Sequence, residues 1–242
     1  MTVATLALAG CDIIDGMSME VDGVLVAAHE LKAPLAVLRQ LALGLDGLNT
    51  EGEQIRSEMV NVSERALRQV NDLIKIKRLD DGLFVMEPVA VRGICDEVVS
   101  ELGRLFNGQN RKIEVRYCNR HRLVNANHEL LYSVIYNFAV NAMHYSDQKT
   151  QTLIRVGDCQ DKIKVTVRDY GPMLPVEIWR KLRQGWIEEP VEMALRSGSS
   201  GLGLYIASKF SRYMEAEVGA IRHRDGTSFY VALPISKQMR LW

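Results

Sequence analysis

No run of apolar residues in this chain approaches the ~20 that a membrane-spanning helix requires, so no membrane segment is expected within its 242 residues. Cysteine is scarce. Cys11, Cys95, Cys118 and Cys159 are scattered, without a Cys-x-x-Cys pair, which argues against a zinc or disulfide framework and reads as reduced thiols in a cytosolic protein. Charge of one sign is also missing: 30 Lys and Arg balance 30 Asp and Glu. The chain therefore lacks the basic field that draws nucleic acid, and no nucleic-acid partner is expected. Residues Leu8 to Cys11 read "LAGC", superficially a lipoprotein processing site. No Lys or Arg precedes them and the apolar run is short, so the reading is a plain lead rather than a lipid anchor. What remains is the composition of a globular protein, 47% hydrophobic and 25% charged, long enough for one large or two small domains.

The first third has heptad character. Val24, Ala28, Leu31, Leu35, Leu38, Ala42 and Leu45 recur in alternating steps of four and three, one seam of a helix. Gly47, Asn49 and Gly52 break the pattern as turn residues. A second helical run carries Ile55, Met59, Val62, Ala66, Leu73 and Ile76. Two helices with a short connection make an antiparallel hairpin. Such a hairpin leaves a seam uncovered, and pairing with a second copy would close it as a four-helix bundle. Packing on the chain's own second domain is the alternative. Inside the first helix, His29 and Glu30 form a titratable pair on the seam's edge, just after Ala28. Pro34 follows, and it cannot donate to the Glu30 carbonyl, so a bend is expected directly after the pair.

The helical period stops near Leu79, and Asp80 to Gly82 supply turn chemistry. Beyond, helices are expected at Ile94–Phe106, His128–Ser146 and Leu202–Met214, and a strand at Lys112–Cys118. Paired strands are expected at Leu153–Val156 and Lys162–Val167 around "GDCQD", and a closing hairpin at Val218–Arg222 and Ser228–Leu233 around "RDGT". This order lacks a regular βαβ rhythm, so the fold class is α+β with a layered sandwich.

Three stretches in this half carry chemistry. "YNFAVNAMHYS" places Asn137, Asn141 and Tyr145 on one helix face. Amides in an otherwise apolar helix are costly unless partnered, and capping of nearby loops is the simpler account of them. "VRDYGPM" ends a strand with Asp169, followed by Gly171, which alone reads equally as a turn former. "RSGSSGLGLYIA" is a Gly/Ser loop feeding a helix, an arrangement whose backbone N–H groups can hold phosphate.

The order of these stretches, downstream of a His-Glu pair on a hairpin, resembles the sensor histidine kinases of two-component systems. The resemblance runs from about Val21 to Ile235. "HELKAPL" is similar to the phosphoacceptor box, "NFAVNAMHYS" to the asparagine box, and "DYG" and "GLGL" to the two glycine boxes. It implies a dimeric hairpin domain followed by a two-layer α/β sandwich of the type shared with gyrase and heat-shock protein 90. It also implies ATP-dependent phosphorylation of His29, with Glu30 orienting the ring and taking its proton, then transfer to an aspartate of a response regulator receiver domain. The cofactors implied are ATP and Mg²⁺, the ion on Asn141 with Asn137 supporting the phosphate side. Asp169 would accept from the adenine amino group and Tyr145 would pack over the base. Gly171, and Gly201 and Gly203 with Leu202 and Leu204 of the second glycine box, would border the nucleotide.

The chain departs from the family pattern at several places. Ala33 stands where a Thr or Asn commonly helps position water, which implies weak phosphatase activity. Met173 replaces the last glycine of the first glycine box. His144 stands where Lys or Arg often faces the phosphates, which implies either weaker phosphate charge compensation or compensation from Arg196. "IWRKLRQGWIEE" replaces a phenylalanine-rich box, with Trp179 and Trp186 as candidate lid anchors. These departures motivate a second reading, a nucleotide-binding pseudokinase or scaffold with little turnover. A mechanical ATPase of the same fold is a third, and it leaves the His-Glu pair unexplained. The expected organisation is a lead over residues 1–16 without fixed structure, a dimerisation and phosphoacceptor domain over 17–80, and a catalytic domain over 81–242, in a cytoplasmic protein.

Overall fold

The computed structural model describes residues 31–33, 35–45, 50–105, 112–118, 122–146, 151–184 and 202–237. They fall into two units divided between Asp81 and Gly82.

The first unit is helical. Residues 31–33 and 35–43 form α1, and α2 spans Thr50–Lys77. Leu35 of α1 packs against Val70 and Ile74, one turn apart on α2. The Arg39 Nε–H donates to Glu64 Oε1 at 2.8 Å, a partly exposed pair that fixes register more than it stabilises. Helix α2 begins at Thr50, so Gly52 lies in its first turn rather than in the connection. The expected bend at Pro34 falls outside the described residues. Much of the apolar seam remains in solvent. Leu31, Leu38, Ile55, Met59 and Val62 are all exposed. Leu38, Ile55, Glu58, Met59, Val62 and Ser63 line a groove of about 400 Å³. No described helix is long and apolar enough to cross a membrane.

The second unit contains two sheets. Strand β1 (Glu87–Val89) pairs antiparallel with β3 (Val124–Ala126). The main sheet has the order β2-β4-β5-β7-β6, from β2 (Lys112–Cys118), β4 (Gln151–Cys159), β5 (Lys162–Arg168), β6 (Glu217–His223) and β7 (Gly226–Pro234). Only β2 and β4 run parallel, and a parallel pair needs a crossover, here made through α4 (His128–Tyr145). Helices α3 (Val91–Leu105), α4 and α6 (Leu202–Tyr213) supply the second layer, while α5 (Val176–Gln184) packs at β6.

Alternation sets the faces. Ile163, Val165 and Val167 of β5 are buried, whereas Lys162, Lys164, Thr166 and Arg168 between them are only half-buried. The first set faces the helices, and the second faces outward. At the centre Phe138 of α4 stacks on Phe229 of β7, centroids 5.6 Å apart at 23°. Both rings are fully buried.

The structure corrects several expectations. Most of "GDCQD" is strand: β4 runs through Cys159, and the turn is only Gln160 and Asp161, with Gln160 at φ 56°. Gly226 and Thr227 likewise belong to β7 rather than the turn. Strands β1 and β3 are too short to show a period, so they went unexpected. Helix α5 hides behind its polar residues, since one apolar face covers only part of nine residues. Cys95, Cys118 and Cys159 are free thiols. Burial, with Asp96 adding, pushes the Cys95 thiol up to about 12.

Phe229→Ala removes half of the central stack and should lower the stability of the second unit by about 3–5 kcal/mol. Urea denaturation followed by tryptophan fluorescence checks it, and a change below ~1 kcal/mol would place the core elsewhere.

Candidate functional site

Helix α4 starts cleanly. The Asn127 side chain accepts from the Leu130 N–H at 3.2 Å, an N-cap, and its amide donates to the Val85 carbonyl at 3.0 Å. From Leu130 to Ser146 the described side chains are buried except at Tyr132, Asn137 and Asn141. Among the described residues, the two asparagines therefore mark a face that the core does not use in the C-terminal half of the helix. Asn137 Nδ2 donates back to the Ser133 carbonyl at 2.9 Å, a bond that fixes the amide and directs Oδ1 away from the helix axis. A Cβ at Gly203 would lie 3.2 Å from Asn137 Oδ1 and 3.5 Å from Asn141 Nδ2. Asn137, Asn141 and Gly203 are thus in one contact, and the start of α6 sits against the asparagine face because residue 203 has no side chain. Leu204 is buried and Leu202 half-buried.

Asp169 follows β5 and continues its inward series, with 1% of its surface exposed. Its Oδ1 accepts from the Gly171 N–H at 3.1 Å and the Thr227 N–H at 3.1 Å. Two backbone donors fix the plane of the carboxylate. Thr227 is used at every polar atom: its carbonyl accepts from the Asp169 N–H at 2.8 Å, and its Oγ1 accepts from the Leu174 N–H at 3.2 Å. The Tyr170 N–H donates to Ser146 Oγ at 3.0 Å, which ties the Asp169–Gly171 loop to the residue just beyond the asparagine helix. Met173, at the departure from the glycine box, is exposed, and Leu174 beside it is buried.

On the outward side, Arg168 and His223 flank the same strand ends. His223 Nε2 lies 2.9 Å from Ser228 Oγ. Burial, then Arg168, holds this imidazole below the usual histidine range.

His29, Glu30, Arg196 and Gly201 lie outside the described residues, as do the side chains of His144 and Tyr145 in the last turn of α4. Among the described residues no three His, Cys, Asp or Glu side chains converge as a metal site. The side-chain oxygens of Asn137 and Asn141 are hard donors of the kind Mg²⁺ accepts with few protein ligands. The sequence reading missed Ser133, Ser146, Gly226 and Thr227. A Thr at the start of an apolar strand carried no local signal, because its partner Asp169 lies 58 residues earlier.

Residues 126–237 match the family described as histidine kinase-, DNA gyrase B- and HSP90-like ATPase. The chain is 27% identical over 219 residues to the sensor histidine kinase MtrB of Mycolicibacterium paratuberculosis, covering 86% of this chain and 38% of that protein. It is 24% identical over 214 residues to the histidine protein kinase SaeS of Staphylococcus aureus, covering 85% and 61%. The chain thus spans less than two thirds of the length of either relative. Among solved structures it is similar to full-length ShkA in complex with AMPPNP, with a TM-score of 0.63 at 20% identity, over 90% of this chain and 46% of that one.

Gly226 has φ +133°, and a Cβ there would lie 2.3 Å from the Asp169 carbonyl oxygen. Gly226→Ala should therefore cost on the order of 1–3 kcal/mol. The urea midpoint measures it. An unchanged midpoint would mean that the turn relaxes without moving Asp169.

Proposed function

We propose, from the match of residues 126–237 to the histidine kinase-, DNA gyrase B- and HSP90-like ATPase family and the likeness to sensor histidine kinases, that the chain binds ATP at Asp169, phosphorylates His29 and passes the phosphoryl group to an aspartate of a response regulator receiver domain. The observation that carries this reading is the buried Asp169 carboxylate, held by two backbone amides beside a loop tied to the asparagine helix. A fixed acceptor of that kind suits an exocyclic amino group, which adenine has and guanine lacks at the same position. The amide pair Asn137 and Asn141 with the start of α6 would border the phosphates, and Gly201, Gly203 and Arg196 would line the same end.

The reaction is phosphoryl transfer. The bond between the γ-phosphorus and the bridging oxygen breaks, ADP leaves, and a phosphorus–nitrogen bond forms at the His29 ring. Glu30, the adjacent acid, would orient the imidazole and take its proton. Little covalent chemistry falls to the protein, whose work is positioning and charge stabilisation. Asn141 would hold Mg²⁺ through its side-chain oxygen, where the ion offsets phosphate charge. The second transfer moves the phosphoryl group from nitrogen to a carboxylate oxygen on the regulator. ATP supply places both steps in the cytoplasm.

The exposed seam of Leu38, Ile55, Met59 and Val62 supports a homodimer through the hairpin, since two copies would bury it as a four-helix bundle. The organisation proposed is a phosphoacceptor and dimerisation domain over 17–80 and a catalytic domain over 81–242.

Incubation with γ-labelled ATP tests the reading. Acid-labile, base-stable label on the wild-type chain is expected, and none on His29→Gln, which should still bind ATP. Free phosphate without labelled protein would indicate an ATPase, and neither product a scaffold. Asp169→Asn should weaken ATP binding by about 1–3 kcal/mol, the scale for disturbing a hydrogen bond to a charged group. Unchanged affinity by calorimetry would make Asp169 a turn residue only.

A further inference from the structure

Strand β5 leaves its ladder at Arg168, whose register partner on β7 is Ser228. One more bond, from the Asp169 N–H to the Thr227 carbonyl at 2.8 Å, carries the pairing past the strand end. Just past the strand end the Asp169 carbonyl converges with the Thr227 carbonyl, both within reach of one Arg168 nitrogen. Two acceptors side by side repel unless a donor sits between them. Arg168 supplies it. Its Nη1 donates to the Asp169 carbonyl at 2.5 Å and to the Thr227 carbonyl at 3.2 Å. Its Nη2 donates to Asp225 Oδ1 in the hairpin turn at 2.7 Å. The guanidinium also lies over the Tyr170 ring, 4.5 Å from its centroid.

The direction of this grip matters. Asp169 continues the inward series of Val165 and Val167, whereas Arg168 belongs to the outward set. The arginine therefore holds Asp169 by its backbone carbonyl, while the carboxylate is held by the Gly171 and Thr227 N–H groups. A planar five-donor group can satisfy two carbonyls and a carboxylate together, which a lysine cannot do in the same geometry. Gly226 makes room: a Cβ there would lie 2.9 Å from both Arg168 Nη1 and Asp169 Oδ1.

We infer that Arg168, braced by Asp225, is the positioning residue for adenine recognition. It acts through the Asp169 backbone and sets the carboxylate to receive the amino group of the base. The inference rests on Asp169 being the base acceptor. Its consequence is selective. Weakening the brace lets the carboxylate drift, and that penalises only ligands that hydrogen-bond to it.

The test compares ATP with purine riboside 5′-triphosphate, which lacks the amino group, by calorimetry on the full chain. Wild type should bind ATP roughly tenfold more tightly than the analogue. Arg168→Met should lose most of that preference through weaker ATP binding, with analogue affinity changed by less than about twofold. Arg168→Lys should recover part of it. Asp225→Asn, at a side chain 68% exposed, should fold normally and shift the preference in the same direction by a smaller factor. Equal losses for both nucleotides would assign Arg168 a general structural role and overturn the inference, as would a preference that survives both Arg168→Met and Asp225→Asn. If wild type itself shows no preference and Asp169→Asn changes nothing, the base-acceptor reading fails and takes this inference with it. A wild-type preference abolished by Asp169→Asn but untouched by Arg168→Met sinks the inference alone.

Discussion

The reciprocal pairing of Asp169 with Thr227 is the constraint on which the second unit's chemistry depends. The Asp169 backbone N–H gives to the Thr227 carbonyl while the Thr227 N–H gives to the Asp169 carboxylate. One residue pair thus ends a ladder and aims a side chain at the same time. The Thr227 hydroxyl adds a third bond to the same loop through Leu174. Because Phe229, two residues on, stacks on Phe138 of α4, the carboxylate is referenced directly to the hydrophobic core. A site built on an interior strand is positioned more tightly than one carried on a loop.

Periodicity made most of the frame legible. Lys112–Cys118 was readable as a strand because its alternation is uninterrupted, and α4 because its apolar residues run continuously with amides on one face. Strands β1 and β3 were not readable, since three residues carry no usable period. The extent of β4 was misjudged for a different reason. Gly157 and Asp158 look like turn formers, yet pairing with Lys164 and Ile163 overrides local preference. Of the candidate site, Asn137, Asn141, Asp169 and Gly203 announced themselves as polar or glycine positions in apolar surroundings. Thr227, Ser133, Ser146 and Arg168 did not. Thr227, Ser146 and Arg168 act through partners distant in sequence, and Ser133 through a backbone carbonyl that any residue carries.

The asparagine helix shows why such second residues are needed. An amide placed in an apolar helix costs free energy unless it is hydrogen-bonded. Asn137 meets that cost within its own helix, through the Ser133 carbonyl. The amide oxygen remains directed toward the start of α6, where glycine permits close approach. The Asn137 amide nitrogen is therefore polar without being unsatisfied. That combination lets a folded core carry a polar stripe, with Gly203 allowing the start of α6 to lie against it.

The helical unit obeys the opposite logic. Its described core is small, Leu35 with Val70 and Ile74, while a row of large apolar side chains stays in solvent. Hydrophobic stabilisation scales with area removed from water, so a hairpin in this state is poorly stabilised alone and gains most from being covered. The second unit encloses its own core and needs no such cover. The two units thus meet the same hydrophobic constraint differently, one by closing on its own core and the other by leaving a seam open.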